Sequence, residues 1–180
     1  MGISRREWML AAACWAEVLR SQQHDSAAQA PAKFVYFDAQ TAAEIEAIAA
    51  QIIPDDDTPG ARAAGVIWFI DRALAGYDRD KRQLYSEGLA AAQGQRADLF
   101  PGSKSIAALP ADQQIALLKA IEKTDFFQQV RTHTALGFLG HPMHGGNRGM
   151  VGWKLIGLDH QMSYEPPFGY YDAQAAGGDK

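Results

Sequence analysis

Apolar residues after the first 38 positions recur at the spacing of an α-helix. The first stripe falls at i, i+3, i+4, i+7 and i+8, which places its members on one helical face. Asp38 is suited to cap the start of this helix, and Pro54 ends it because proline has no N–H for the hydrogen-bond ladder. The stripe consists of Ile45, Ile48, Ala49, Ile52 and Ile53.

A second helix is predicted beyond an acidic loop that ends in Thr58 and Pro59. This pair suits the N-cap and first position of a helix. The apolar residues within 66–74 are spaced for burial, whereas Asp71 and Arg72 are predicted on the wetter side.

Three further helices follow from the same pattern. One runs from about Asp80 to Ala92 with Gly94 fitting its end, one begins at Pro110, and one is capped by Thr124. Residues 95–109 are predicted to form a loop. The side chains expected to point inward are Leu84, Tyr85 and Leu89, then Ile115, Leu118 and Ile121, then Phe127, Val130, Thr134 and Phe138.

The predicted fold class is all-α, a small helical bundle of about five helices with a long irregular C-terminal segment. Residues 35–37 have strand character, but one strand cannot form a sheet. From Gly140 onward the chain is rich in Gly, Pro and aromatic residues, which excludes a continuous helix. We predict that residues 158–180 form a partner-binding tail, since aromatic loops of this kind often mark binding surfaces.

Composition narrows the classes of function. Lys and Arg number 17 and Asp and Glu 21, so a net charge of -4 makes nucleic acid a poor partner. No apolar run reaches the ~18 residues that a membrane span needs. The lone Cys14 lies in a segment that we predict to be removed, which would exclude disulfides, thiolate metal sites and a cysteine nucleophile from the mature chain.

The N-terminus is typical of a twin-arginine export signal. Arg5 and Arg6 precede an apolar stretch, and Ala28-Gln29-Ala30 matches a small-x-small cleavage pattern. We therefore predict a signal peptide at residues 1–30, a single domain at 31–180 and a periplasmic location. The alternative is a resident amphipathic helix.

Two segments of the mature chain carry a family resemblance. The first covers residues 53–62 and continues to residue 71. The second combines short elements of the fifth predicted helix and of the segment beyond it: Phe126-Phe127, Thr134, Gly137-Phe138, His141-Pro142, Gly145-Gly146-Asn147, Trp153 and Ile156-Gly157. Together they resemble the gluconate 2-dehydrogenase subunit 3 family. The family pattern has an aromatic residue, usually Tyr, where this chain has His144.

The resemblance implies an accessory role. Members of this family accompany a large FAD-containing subunit of the glucose–methanol–choline oxidoreductase type, which oxidises a sugar or sugar acid. A cytochrome c subunit often takes the electrons onward. The small subunit is thought to aid folding and export of its partner. FAD is therefore expected in the partner, with no cofactor, metal or catalytic residue in this chain.

The predicted partner interface combines the turn after the fifth helix with the aromatic tail. Glycines supply positive φ angles in such a turn, and Asn147 is expected to tie it with its side chain. The interface residues are His141, His144, Gly145, Gly146, Asn147, Tyr164, Phe168, Tyr170 and Tyr171.

Two other functions remain open from sequence. One is a stand-alone exported enzyme that uses a metal near His133, His141 and His144, although no metal-binding spacing appears. The other is a sugar-binding protein that uses the C-terminal aromatic residues.

Other side chains are predicted to have structural roles. Arg62 is predicted to pair with the acidic loop, and Trp153 is predicted to lie in the core with Trp68.

Overall fold

The computed structural model describes residues 33–161 and the single residues 163, 166, 169 and 174. The described part contains six α-helices: α1 Ala39–Ile52, α2 Val66–Ala75, α3 Arg82–Leu99, α4 Ala111–Ile121, α5 Asp125–Leu139 and α6 Val151–Leu155. Short 3-10 turns occupy Arg79–Lys81, Pro142–His144 and Arg148–Met150. The predicted all-α bundle with an irregular C-terminal segment is confirmed, and α6 is a short helix within that segment.

The core forms where α2 packs against α5; α1 packs against both of these helices, α3 packs against α5, and α4 packs against α1 and α3. Two glycines of the bundle allow helices to approach closely. A Cβ atom on Gly88 of α3 would lie 2.3 Å from the Phe126 Cβ, and one on Gly137 of α5 would lie 3.0 Å from Phe69. Close packing at these crossings places the end of α5 beside α2, where the candidate site is built.

Two of the predicted caps are confirmed. The Asp38 carboxylate accepts a hydrogen bond from the Thr41 N–H at 2.7 Å, and α1 ends at Ile52, before Pro54. The Thr124 hydroxyl accepts a hydrogen bond from the Phe127 N–H at the start of α5. These hydrogen bonds satisfy N–H groups that have no partner inside their helix.

The start predicted for the second helix is wrong. Thr58 does not cap a helix: its hydroxyl and its N–H both donate to the Asp56 carboxylate within the loop. The helix begins at Val66 after Gly65, whose left-handed φ of 64° turns the chain. No ion pair joins Arg62 to the acidic loop in the described part of the chain, so that prediction is wrong as well. Asp55 instead accepts from the Gly60 N–H at 2.6 Å.

Three further sequence predictions are corrected. The third helix continues past Gly94 to Leu99, since an interior glycine costs only ~1 kcal/mol and packing can outweigh that cost. Ile115 is 44% exposed rather than inward. Asp71, predicted on the wetter side of its helix, is 1% exposed.

No helix within 33–161 is both long enough and apolar enough to cross a membrane. The predicted signal peptide, including Arg5 and Arg6, lies outside the described residues.

Candidate functional site

The loop that follows α5 folds back onto the bundle and is held by one buried amide. Asn147 is fully buried, and its Nδ2 donates to the Gly140 carbonyl at 3.0 Å. Its Oδ1 accepts from the Gly152 N–H at 2.9 Å. Gly145, with a φ of 105°, supplies the left-handed turn before it. The predicted tight turn, tied by the Asn147 side chain, is confirmed.

Two glycines bring this loop into backbone contact with α5. A Cβ atom on Gly146 would lie 2.1 Å from the Gly137 carbonyl oxygen, and one on Gly152 would lie 2.0 Å from that of Phe138. Real Cβ atoms do not approach oxygen so closely, so only glycine fits at either position without a shift of the backbone.

The residues predicted for the partner interface fall into two groups. His141 and His144 are exposed, whereas Gly145, Gly146 and Asn147 are buried against the chain itself. Gly145, Gly146 and Asn147 therefore shape the loop. A role at the partner interface remains a prediction for all the residues that were assigned to it. The other predicted residues lie outside the described part of the chain: Tyr164, Phe168, Tyr170 and Tyr171.

Exposed apolar side chains concentrate around this loop. Among the described residues, ten large apolar side chains are exposed, and six of them lie between positions 136 and 158. The exposed fractions of these six side chains range from 41% to 69%. We call these six the C-terminal apolar surface: Leu136, Leu139, Met143, Leu155, Ile156 and Leu158. Such clustering is typical of an interaction site, because apolar area gains free energy when a partner covers it.

The two tryptophans near this loop differ in burial. Trp153 is 8% exposed, as predicted for a core residue, and its indole N–H donates to the Leu139 carbonyl at 2.6 Å. Trp68 is partly buried, with one stacking contact to Phe34 at a centroid distance of 4.0 Å. The guanidinium of Arg148 lies over the Trp68 ring, 5.0 Å from its centroid. Sequence analysis does not single out Arg148; its position directly after Gly-Gly-Asn is the one local signal.

A buried polar network joins α3, α5 and the turn between α2 and α3. The pKa of the Tyr85 phenol is raised by burial and then by the Asp78 charge, so the phenol is protonated and donates to His133 Nδ1 at 2.8 Å. His133 Nε2 then donates to the Asp78 carboxylate at 3.0 Å. The Gln129 amide nitrogen lies 2.9 Å from the same ring nitrogen. A pattern of apolar positions cannot reveal such a network, since its members are far apart in sequence.

This network predicts a loss of stability at mildly acidic pH. Burial lowers the pKa of His133 below its usual 6.5, against the opposing hydrogen bond to Asp78. The unfolded chain therefore binds this proton at a higher pH than the folded chain does, and the free energy of unfolding falls over the pH interval that begins near the unfolded pKa of about 6.5 and extends below it. Urea unfolding across this interval should show the fall in the wild type and a flatter profile in His133→Gln.

His144→Gln serves as the control for this prediction, because His144 is exposed. It should keep the wild-type profile. Equal pH profiles for His133→Gln and the wild type would contradict the assignment.

The structure does not gather the histidines into a metal site. His133 lies in the core, and His141 packs edge-on against His160 and Trp153 at the surface. Within the described residues, no group of three or more His, Cys, Asp or Glu side chains is placed to hold a metal ion.

A cavity of about 540 Å³ lies between the start of α1 and the first half of α3. Its walls include the rings of Tyr36 and Tyr85, and Glu44 and Lys104 contribute charge. The Glu44 carboxylate is 2% exposed and accepts from the Ile106 N–H at 2.7 Å, which fixes the loop before α4. No residue of the C-terminal apolar surface lines this cavity.

Comparison with protein families identifies the family of this chain. The family model described as "Gluconate 2-dehydrogenase subunit 3" matches residues 39–159, about two thirds of the chain. The match includes all six helices, the Gly-Gly-Asn turn and the whole C-terminal apolar surface. Comparisons with curated proteins and with solved structures give no match.

Proposed function

The chain belongs to the gluconate 2-dehydrogenase subunit 3 family, and on this basis we propose that it is the non-catalytic small subunit of an exported FAD-dependent sugar or sugar-acid dehydrogenase. The family places it in a dehydrogenase complex as an accessory subunit. The proposal adds that the flavin is held by a large partner subunit of the glucose–methanol–choline type.

The observation that carries this proposal is the C-terminal apolar surface. Three of its members, Met143, Ile156 and Leu136, are at least half exposed. In the chain they lie before, within and after a loop whose backbone is fixed by Asn147, so the surface has a defined shape before any partner arrives. A preformed surface loses little conformational entropy on binding, which favours a stable complex.

Binding of this surface would support the partner by mass action. A protein that binds only the folded form of another stabilises that form in proportion to its concentration and affinity. The small subunit would thus hold the flavin subunit in its folded state. Arg5 and Arg6 would then direct the folded pair to the twin-arginine route and into the periplasm.

The test is co-purification from cells that express the native gene cluster. Tagged wild-type chain should capture a large protein with the absorbance of oxidised flavin, recovered from the periplasmic fraction. Leu139→Glu should reduce flavin recovery at least tenfold, because a charge would be buried against the partner. Ile115→Glu should retain it, since Ile115 has the same exposed fraction, 44%, but lies on α4.

Three outcomes would count against the proposal or part of it. Wild-type chain that captures no flavoprotein would overturn the accessory role. Equal capture by Leu139→Glu and Ile115→Glu would move the interface elsewhere on the molecule. Unchanged periplasmic recovery after the paired replacement Arg5→Lys and Arg6→Lys would exclude the twin-arginine route.

A further inference from the structure

Two arginines lie beside Trp68, and neither forms an ion pair with a carboxylate among the described residues. Arg148 lies over the indole ring, and Arg72, one helical turn beyond Trp68 on α2, donates from Nη1 to the Met143 carbonyl at 3.2 Å. Within the described part of the chain, an ion pair forms elsewhere, between Lys81 and Asp80, and Asp78 accepts a hydrogen bond from the neutral His133 ring. Two positive charges therefore share one small region of a chain whose net charge is negative.

Arg148 is also short of hydrogen-bond partners. Its Nε and Nη2 atoms are buried and have no acceptor among the described residues. Burial lowers the pKa of Arg148, and the charge of Arg72 lowers it further, while Glu46 acts in the opposite direction without forming an ion pair. An unpaired buried donor costs free energy, and a charged donor costs more. A partner cannot reach these two buried atoms, but Nη1 is not among the buried atoms without an acceptor, and a carboxylate at Nη1 would offset part of that cost through its charge.

The backbone is built to hold Arg148 in this position. Its N–H donates to the Ala64 carbonyl at 3.0 Å. Asn147 and Met150 on either side have left-handed φ angles of 45° and 57°, which are uncommon without glycine. Next to Ala64, a Cβ atom on Gly65 would lie 2.6 Å from the Arg148 Cδ, so glycine leaves the space that the side chain occupies. The position of Arg148 is thus specified by several residues at some energetic cost, as is common at functional sites.

The surroundings indicate what the arginines would meet. Met143, whose carbonyl accepts from Arg72, is 69% exposed and belongs to the C-terminal apolar surface. Arginine presents a planar fork of donors that matches a carboxylate, and an adjacent apolar side chain suits a protein segment better than a free anion. Charged residues are rare at the centres of protein interfaces. An arginine–carboxylate contact at such a centre therefore discriminates strongly between the correct partner and other proteins.

We propose that Arg72 and Arg148 bind a carboxylate side chain of the flavin subunit, with Met143 covering the neighbouring apolar residue of that subunit. This inference rests on the proposed function and adds the chemistry of the contact. It assigns the partner an Asp or Glu at the centre of its interface, opposite Trp68.

The first test compares binding with stability. Arg148→Gln and Arg72→Gln should each reduce flavin-subunit capture at least tenfold. The isolated Arg148→Gln chain should unfold at the same or a higher urea concentration than the wild type, because an unpaired buried charge has been removed. A parallel loss of stability and capture would mean that Arg148 only supports the fold, and unchanged capture by both variants would also overturn the inference.

The second test locates the carboxylate. Carbodiimide forms amide bonds between lysine and nearby carboxylates, so Arg72→Lys in the complex should give a new cross-link to an Asp or Glu of the flavin subunit. Arg131→Lys, at an exposed position on α5, should give none. A cross-link to this chain's own carboxylates alone would overturn the inference.

These outcomes separate the two proposals. Failure of the wild-type chain to capture a flavoprotein refutes the accessory role. Normal wild-type capture with unaffected arginine variants refutes only the carboxylate contact. A third outcome is that free gluconate stabilises the isolated wild-type chain but not Arg148→Gln. The arginines would then bind a small anion rather than a carboxylate of the partner protein, and the inference would be overturned.

Discussion

Replacement of Asp71 by Asn is expected to lower the free energy of unfolding by about 3 kcal/mol. The Asp71 carboxylate is almost fully buried on α2 and accepts three backbone hydrogen bonds. Val35 donates to Oδ2 at 2.7 Å, while Tyr36 and Phe37 donate to Oδ1 at 2.9 and 2.8 Å. Asparagine keeps the shape but loses the charge and turns an N–H₂ group toward one of these donors.

The measurement is urea unfolding of the purified chain at neutral pH. Asp98→Asn is the matched control, because Asp98 is exposed on α3, and it should stay within about 0.5 kcal/mol of the wild type. A loss below about 1 kcal/mol for Asp71→Asn would mean that the attachment of residues 35–37 to α2 contributes little to stability.

Replacement of Gly152 by Ala is expected to cost a similar amount, about 3 kcal/mol, although alanine is the better helix former. The new Cβ would lie 2.0 Å from the Phe138 carbonyl oxygen and 3.2 Å from the Asn147 side-chain oxygen. The segment cannot move away from α5 without weakening the hydrogen bonds that tie it to the end of that helix, from the Asn147 amide to the Gly140 carbonyl and from the Trp153 indole to the Leu139 carbonyl. The clash therefore falls on the segment that carries the proposed interface.

Gly94→Ala gives the opposite expectation within the same protein. Gly94 also lies inside a helix, but a Cβ atom there would meet nothing within 4 Å. Thermal and urea unfolding should show a gain of about 1 kcal/mol for this variant. If both variants gained stability, the close contact between the loop and α5 would be wrong.

Helix periodicity predicted the bundle because burial in α1 and α5 follows simple apolar stripes. It failed in α4, where Gln114 is 5% exposed and Ile115 faces solvent. The Gln114 amide donates to the carbonyls of Ile106 and Leu109. A buried glutamine that serves the backbone of a loop disturbs the apolar pattern, so the predicted stripe was rotated toward Ile115.

The candidate site was predictable only in its backbone. Gly-Gly-Asn indicates a turn from residue type alone, since glycine and asparagine tolerate positive φ. The clustering of Arg72, Arg148 and Trp68 depends on how α2 packs beside the loop, and distant residues leave no mark in local sequence. The burial of Asp71 was not predicted for a related reason. Its partners are backbone N–H groups, which every residue except proline has, so no residue type in the sequence indicates them.

The dependence of the loop on α2 and α5 has a consequence for the order of folding. Its backbone contacts are made with Ala64, Gly137 and Phe138, which are in place only after those helices have packed. The contact between Arg148 and Ala64 joins positions far apart in the sequence, so we expect closure of the loop late in folding. A partner that docks beside this loop would bind fully folded chains and not partly folded ones. The surface would then act as a checkpoint for completed folding before assembly.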